Sequence, residues 1–408
     1  RQFHFLTLTP SLKSETPYTD TVHCSDSHKP SPFLTQLSLY MSLLNNKPNE
    51  EDHIDRISDL PSNVIDGILQ NLDIRDQYEH LDDPGPIVSK IITDVLMRHN
   101  GPIYKFFLFI PPDFNFKITV EHFDKWVPLL SRRGIKHLEL LDFGTALSHL
   151  PYIVFCCALE SLICGCPLLE KLSIYFCNGF EYFDFSAPSL KVLEIYFDGN
   201  VKSICLKKAK NLIDLTLIND ANDIWVSGLI KSLPKNMQRF SIGSYDLTEK
   251  ISYADIIPLT LVKSSFKSIK YLKLGNLKLD ERGELLYIVS VLKSAPHLVE
   301  FVTESNTHSN EDHITQARVC SEELECSNGC LNQLQIVNII VEFSSQQAMS
   351  LLRFILVNST SLKTLTFKVG FSYQKLDAPL LAMASISQEL LLMERASPRA
   401  QVKFLPSL

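Results

Sequence analysis

The densest group of potential metal ligands in the sequence lies between residues 307 and 313. His308, Glu311, Asp312 and His313 carry the imidazole and carboxylate groups that bind zinc and other transition metals. The residues around them are Thr, Ser and Asn, and no hydrophobic periodicity runs through the segment. Such a segment is typical of a solvated loop. We therefore interpret these four residues as loop residues and predict no metal site.

The ten cysteines are the other candidates for metal binding or covalent catalysis. They form no pair of Cys-x-x-Cys knuckles, which structural zinc sites use, and nothing in their local sequence indicates an activated thiolate. We expect reduced, buried thiols in an intracellular protein that lies in the nucleus, the cytoplasm or both.

The sequence contains none of the common phosphate-binding, dinucleotide-binding, zinc-protease or serine-hydrolase motifs: G-x-x-x-x-G-K-[ST], G-x-G-x-x-G, H-E-x-x-H and G-x-S-x-G. Lys207, Lys208 and Lys210 form a short basic run, which we interpret as a solvated turn. We therefore predict no catalytic residue and no cofactor, and we expect that the protein is not an enzyme.

The composition of the chain excludes several classes of protein and of binding partner. The 408 residues are 45% hydrophobic and 21% charged, which excludes a wholly disordered chain, a collagen-like fibre and a multi-span membrane protein. The net charge of -7, from 39 basic and 46 acidic residues, argues against nucleic acid as a partner. The longest apolar run, residues 106–110, is far too short to cross a membrane, so no membrane partner is expected.

The N-terminal segment differs from the rest of the chain. The first forty residues are rich in Ser, Thr and Pro and have no sustained hydrophobic period. We predict that residues 1–50 are a disordered or non-native tail and that native translation starts at Met41, the first methionine.

Residues 55–72 (DRISDLPSNVIDGILQNL) predict an amphipathic helix that begins near Leu60. Apolar residues recur at the i, i+3, i+4 spacing of one helix face, and Pro61 suits a first helical turn, where its missing N–H needs no partner. A plain helix packed on its own domain would produce the same periodicity. The residues of the apolar face and its lead-in are Ile57, Leu60, Pro61, Val64, Ile65, Ile68, Leu69 and Leu72.

The string DRISDLPSNVIDGILQNLDIRD resembles the opening of a plant F-box. The resemblance implies that this apolar face binds the Skp-type adaptor, and through it a cullin, of an SCF ubiquitin ligase, by the helix-in-groove mode. After Asp76 the sequence departs from the family, because the expected second helical half is replaced by the acidic turn segment 78–86. Residues 55–77 are therefore a partial F-box, and we favour a skipped exon as the cause.

A second pattern extends over the rest of the chain, where leucine makes up roughly 15% of the residues. The apolar signature φ-x-x-φ-x-φ of a leucine-rich-repeat strand recurs at intervals of about 21 to 30 residues. The copies are Ile135-Leu138-Leu140, Leu169-Leu172-Ile174, Leu190-Leu193-Ile195, Leu212-Leu215-Leu217, Met237-Phe240-Ile242, Ile269-Leu272-Leu274, Leu331-Leu334-Ile336 and Leu362-Leu365-Phe367. A weaker copy, Leu298-Phe301, has Thr303 as its third member.

The segments around these copies complete the predicted unit. Prolines precede several copies, as in Cys166-Pro167, Ala187-Pro188 and Ala295-Pro296, and end the preceding helix. Helices are predicted most clearly at 284–293 and 346–358. The predicted fold is an α/β solenoid of irregular leucine-rich repeats with a parallel sheet on its concave face. The gap at 150–166 is long, and we expect one or more repeats to be missing there.

The C-terminal part resembles the FBD domain of plant F-box/leucine-rich-repeat proteins. Arg395-Ala396-Ser397 followed by a short strand at 402–405 carries this resemblance. Together the two resemblances imply irregular leucine-rich repeats over 78–325 and an FBD-like α/β cap over 326–408.

The resemblances imply a non-catalytic substrate receptor of an SCF-type ligase that holds an unidentified target protein on its repeats. The alternative that remains open is a leucine-rich-repeat interaction scaffold whose incomplete F-box no longer binds the ligase.

Overall fold

The computed structural model describes residues 4–6, 90, 92–94, 96–97, 103–110, 120–142, 160, 163–175, 182–184, 186–197, 201–219, 225–244, 251–279, 281–305, 330–341, 346–370 and 379–407. The predicted adaptor helix at 55–77, the acidic segment 78–86, the polar run at 307–313 and most of the gap at 150–166 lie outside these residues. Of the predicted N-terminal tail, residues 1–50, only 4–6 are described, and they form a short strand.

Short strands recur along the described chain, and most carry the alternating apolar residues that favour a pleated strand. Their bounds are β1 His4–Leu6, β2 Lys105–Ile110, β3 His137–Asp142, β4 Lys171–Tyr175, β5 Tyr182–Asp184, β6 Val192–Phe197, β7 Ser203–Cys205, β8 Asp214–Asn219, β9 Arg239–Gly243, β10 Tyr271–Leu274, β11 Glu300–Ser305, β12 Ile336–Val341, β13 Thr364–Gly370 and β14 Gln401–Ser407.

Helices lie between many of the strands. They are α1 Val120–Arg132, α2 Trp225–Ser232, α3 Tyr253–Ile256, α4 Leu259–Ser265, α5 Arg282–Lys293, α6 Gln346–Asn358 and α7 Pro379–Leu392, with a 3₁₀ turn at Phe266–Ser268. The two most clearly predicted helices, at 284–293 and 346–358, are confirmed as α5 and α6. None of the helices that the structure describes has the length and apolar composition needed to cross a membrane.

Twelve of the strands form one sheet whose neighbours follow the chain order, β1-β2-β3-β4-β6-β8-β9-β10-β11-β12-β13-β14. Every pairing in this sheet is parallel. Parallel neighbours require a crossover segment between them, and helices supply it between β2 and β3, between β8 and β11, and between β12 and β14. The predicted α/β leucine-rich-repeat solenoid with a parallel sheet is therefore confirmed.

The segments that link β4, β6 and β8 are shorter than the others, and their described parts contain no helix. They contain β5 and β7 instead, which form a separate two-stranded parallel sheet. Phe183 and Ile204 from these strands, with Leu206, are buried. The short repeats thus cover the core with strands where the long repeats use helices.

The repeats enter their strands through a common backbone geometry. The N–H of Leu169 donates to the carbonyl of Cys166, that of Leu190 to Ala187 and that of Leu298 to Ala295, at 3.0, 3.2 and 3.0 Å. The three lead-in prolines therefore occupy the second position of β-turns, where their fixed φ is favourable. Each following strand then joins its neighbour, as where the Lys136 carbonyl accepts the N–H groups of Glu170 at 2.7 Å and Lys171 at 2.9 Å.

Strand register confirms most of the predicted copies and corrects one. Phe301 pairs with Val337 and Thr303 with Ile339, so the true copy at β12 is Leu334-Val337-Ile339. The predicted frame Leu331-Leu334-Ile336 is wrong by three residues. Apolar residues occur at 331, 334 and 337, so the local spacing fits both frames, and only the pairing with β11 distinguishes them. A copy that was not predicted, Ile103-Phe106-Leu108, forms β2.

The core lies between the sheet and the helices. On β8, Leu215 and Leu217 are buried while Asp214 and Thr216 face the other side, as the period of two requires. Helix α2 contacts α4, α4 contacts α5, and α5 contacts α6, so the helices form a second layer along the sheet. Each repeat completes the core of its neighbour, which is the stacking that stabilises solenoids.

The cysteines fit the expectation only in part. Cys166 is buried and Cys164 is exposed, and both are free thiols. Burial raises the pKa of the Cys166 thiol to about 12, so this thiol stays protonated at neutral pH. Cys330 is disulfide-bonded, which corrects the expectation that every cysteine is reduced.

Candidate protein-binding face

The side of the sheet that points away from the helices, called the open face below, presents one set of side chains from every strand. Parallel in-register pairing places equivalent positions of consecutive repeats beside one another, so the outward residues form three rows across the sheet. In the row nearest the strand starts lie Lys105, His137, Lys171, Val192, Asp214, Arg239, Tyr271, Glu300, Ile336, Thr364 and Gln401. The second row holds Phe107, Glu139, Ser173, Glu194, Thr216, Ser241, Lys273, Val302, Asn338, Thr366 and Lys403.

Ion pairs between repeats cross the part of this face from β2 to β11. Each joins a basic and an acidic side chain from different strands, and all have partly exposed side chains. They are Lys105 Nζ–Glu139 Oε2 at 3.9 Å, Lys171 Nζ–Glu194 Oε1 at 3.2 Å, Arg239 Nε–Asp214 Oδ2 at 3.1 Å and Lys273 Nζ–Glu304 Oε1 at 2.9 Å. Such pairs stabilise the protein by only about 0–1 kcal/mol each. They do leave this part of the open face close to neutral.

Glu194 is the most heavily hydrogen-bonded residue on this face. Besides the Lys171 ammonium, it accepts hydrogen bonds from the Ser173 and Tyr175 hydroxyls, both at 2.8 Å. Burial, and then the Glu194 charge, raise the pKa of Tyr175 far above its usual value, so Tyr175 remains a neutral donor. The network holds the outward residues of β4 and β6 in one arrangement.

Aromatic side chains interleave with these charges. The Tyr175 and Tyr196 ring centroids are 4.8 Å apart, and the Arg239 guanidinium lies 3.9 Å from the centroid of the Tyr271 ring. Burial raises the pKa of both Tyr196 and Tyr271 to about 12. Tyrosine and arginine dominate the binding energy of protein interfaces when they are held rigidly. This part of the face therefore has the composition of a protein-binding surface.

His137 lies in the first row between two lysines. Its pKa is lowered by burial, and then by the charges of Lys105 and Lys171. The imidazole is therefore neutral at pH 7. His137 is thus an uncharged member of the first row, and the charged groups around it are mainly basic.

Within the described ranges, no group of three or more His, Cys, Asp or Glu side chains is placed to hold a metal ion. The most buried carboxylate, Glu284, accepts hydrogen bonds from the Ser252 hydroxyl and from the N–H groups of Tyr253 and Ala254 at 3.0–3.2 Å. Those are the first residues of α3, so Glu284 caps a helix and its role is structural.

The structure describes some of the site residues considered in the sequence analysis and not others. Lys207, Lys208 and Lys210 are exposed in a turn, as predicted, and Lys208 Nζ lies 3.6 Å from Asp184 Oδ1. The predicted adaptor-binding residues from Ile57 to Leu72 and the polar run 307–313 lie outside the described residues, so their roles remain predictions. The outward rows were not predicted, although the x positions of each φ-x-x-φ-x-φ copy mark them.

The family model for the leucine-rich-repeat domain of At1g61320/AtMIF1 matches residues 136–398. The chain belongs to this leucine-rich-repeat family. It is also 27% identical, over 431 aligned positions, to the F-box/FBD/LRR-repeat protein At1g13570 of Arabidopsis thaliana. That alignment covers 86% of this chain and 98% of the relative. The resemblance to plant F-box/FBD/leucine-rich-repeat proteins is thereby confirmed.

Among solved structures, the chain is similar to the leucine-rich repeat-containing protein LegL7 from Legionella pneumophila. The identity is 12%, the TM-score is 0.35, and the match covers 73% of this chain and 93% of LegL7.

Proposed function

We propose that this leucine-rich-repeat protein is the substrate-recognition subunit of an SCF-type E3 ubiquitin ligase and is itself non-catalytic. One observation carries the proposal: the F-box-like segment 55–72 precedes the repeats in a chain whose relative over most of its length is named an F-box/FBD/LRR-repeat protein. The apolar helix face from Ile57 to Leu72 would bind a Skp-type adaptor, which in turn binds a cullin. The protein would act within the nucleus, the cytoplasm or both.

The open face supports the second part of the proposed role, which is to bind the target protein. Its tyrosines, its arginine and its Glu194 network form a preorganised surface that a target protein can bind without prior rearrangement. A target held there would lie close to the ubiquitin-charged enzyme at the adaptor end. Proximity of this kind replaces a bimolecular encounter by a local one, and no residue of this chain needs to react.

Recovery of a Skp-type adaptor on the immobilised full chain tests the adaptor half of the proposal. We expect L60A/P61A to recover about tenfold less adaptor than the unchanged chain, because it removes a central apolar anchor of a helix-in-groove interface. The matched control is P167A/L168A, which changes an exposed proline and leucine in the turn before β4. This control should recover as much adaptor as the unchanged chain. Equal recovery from L60A/P61A would contradict a role for this segment.

A second candidate function is favoured by the departure from the F-box pattern after Asp76. In that case the chain would be an interaction scaffold that binds the same targets without recruiting the ligase. The scaffold is supported if the unchanged chain recovers no adaptor while a version with a complete F-box does. If neither version recovers the adaptor, the result would contradict the proposed role as a ligase receptor.

A further inference from the structure

The last three strands of the open face differ in chemistry from the strands before them. Their outward residues are hydrophobic, uncharged polar or basic, and none is acidic. They are Ile336, Asn338 and Ile340 on β12, Thr364, Thr366 and Lys368 on β13, and Gln401, Lys403 and Leu405 on β14. We name these nine residues the C-terminal basic surface. Ile336 is 37% exposed and Leu405 is 47% exposed, so apolar area is accessible here as well as positive charge.

The two lysines of this surface have no acidic partner among the residues that the structure describes. Lys368 and Lys403 are both exposed and form none of the described ion pairs. Every other outward lysine or arginine on strands β2 to β10 pairs with a carboxylate of a different strand. The acidic residues of β11 lie beyond β12 from these lysines, and one of them, Glu304, already binds Lys273. Within the described ranges, no acidic side chain therefore compensates the positive charge at this end of the face.

The register places the two lysines close together. Lys403 pairs with Thr366 and Lys368 pairs with Leu405, so the two lysines lie on adjacent strands in adjacent rows. Lys363 and Arg399 are exposed just before the same two strands and add positive charge at their entrances. Like charges at this spacing repel one another, and a bound anionic group would relieve the repulsion.

We propose that the C-terminal basic surface binds an extended acidic segment of the target protein, with acidic residues on the two lysines and apolar residues on Ile336, Ile340 and Leu405. This inference rests on the proposed use of the open face for target binding. Charge complementarity selects an acidic partner, and the accessible apolar side chains select a protein segment over a nucleic acid, as does the net charge of -7.

Fluorescence anisotropy of labelled peptides on the full chain tests the proposal without any adaptor present. The probe is the twelve-residue peptide (Glu-Leu-Glu-Ala)₃, and its charge-reversed counterpart is (Lys-Leu-Lys-Ala)₃. We expect the acidic peptide to bind and the basic one not to bind. K368Q/K403Q should weaken binding of the acidic peptide by about three- to tenfold, since it removes two exposed charge pairs that each contribute modestly to affinity. Binding should also weaken between 50 and 300 mM NaCl through screening.

The matched control is K231Q/K235Q, which removes two exposed lysines at the end of α2 and leaves the open face unchanged. It should bind the acidic peptide as the unchanged chain does. The charge-reversal variant K368E/K403E should prefer the basic peptide, which shows at the same time that the altered surface remains folded.

Three results would overturn the inference. They are equal loss of binding in the control and in K368Q/K403Q, equal binding of both peptides, and tighter binding of a twelve-nucleotide single-stranded RNA than of the acidic peptide. Because no adaptor takes part, each of these results is independent of the outcome for L60A/P61A.

Discussion

Thr303 shows how a single residue departs from the repeat pattern at a cost in stability. It occupies the third apolar position of its copy on β11, between Leu274 and Ile339 of the neighbouring strands. Its side chain is fully buried, and its hydroxyl has no hydrogen-bond partner among the described residues. We predict that T303V stabilises the protein by about 1 kcal/mol, because it replaces an unsatisfied buried hydroxyl with a methyl group of similar size. Urea denaturation measures the change. The control T366V alters an outward threonine on β13 and should shift stability by less than about 0.5 kcal/mol. A less stable T303V would show that the hydroxyl is satisfied in solution.

At the scale of elements, Glu284 links α5 to the start of α3. Burial raises the pKa of Glu284, and the hydrogen bonds from Ala254, Tyr253 and Ser252 only partly oppose this. The native state then binds the proton more tightly than the unfolded state does, so the stability from this group is fully present below pH 4.5 and is lost as the pH rises through the native pKa. We predict that the free energy of unfolding of the unchanged chain, relative to that of E284Q, falls between pH 4.5 and 7.5. Urea denaturation at several pH values tests this, with the exposed Glu394 changed in E394Q as the control. Parallel pH profiles for the unchanged chain and E284Q would contradict the prediction.

At the scale of the whole molecule, each strand of the described large sheet forms its backbone hydrogen-bond ladders only with the strands beside it, and β14 is the last strand of that sheet. Stability in such an array spreads through neighbouring interfaces. We predict that F240A, which removes a fully buried ring from β9, lowers the free energy of unfolding of the repeats around β9 by about 3–5 kcal/mol. It should speed amide hydrogen exchange in β8, β9 and β10 while leaving that of β14 unchanged. T216A, an outward change on β8, is the control and should leave all these rates unchanged. A uniform increase across every strand would mean that the molecule opens as one unit.

The residues that face the core were largely predictable from the sequence, because their spacing depends only on the strand or helix in which they lie. Leu272 and Leu274 alternate along one strand, and α6 covers the predicted range 346–358, since the periods of strands and helices are local properties of the chain. The frame at Leu334 was not predictable in this way. The apolar residues fit the repeat signature equally well when it starts at Leu331 and when it starts at Leu334. Only the hydrogen bonds between β11 and β12 show that it starts at Leu334.

The spacing of apolar residues along the chain was sufficient to predict a repeat solenoid and the positions of most of its strands, and the residues before them were sufficient to show a segment that resembles an F-box. Those features rest on spacing within a few tens of residues. Which outward side chains become neighbours follows from the pairing of distant strands: Arg239 lies over the Tyr271 ring, and Lys368 lies one row from Lys403 on the adjacent strand, although each pair comes from two repeats. The physical reason is that a contact across parallel strands depends on the register between distant segments. That register is set by backbone hydrogen bonds and core packing along the whole stack.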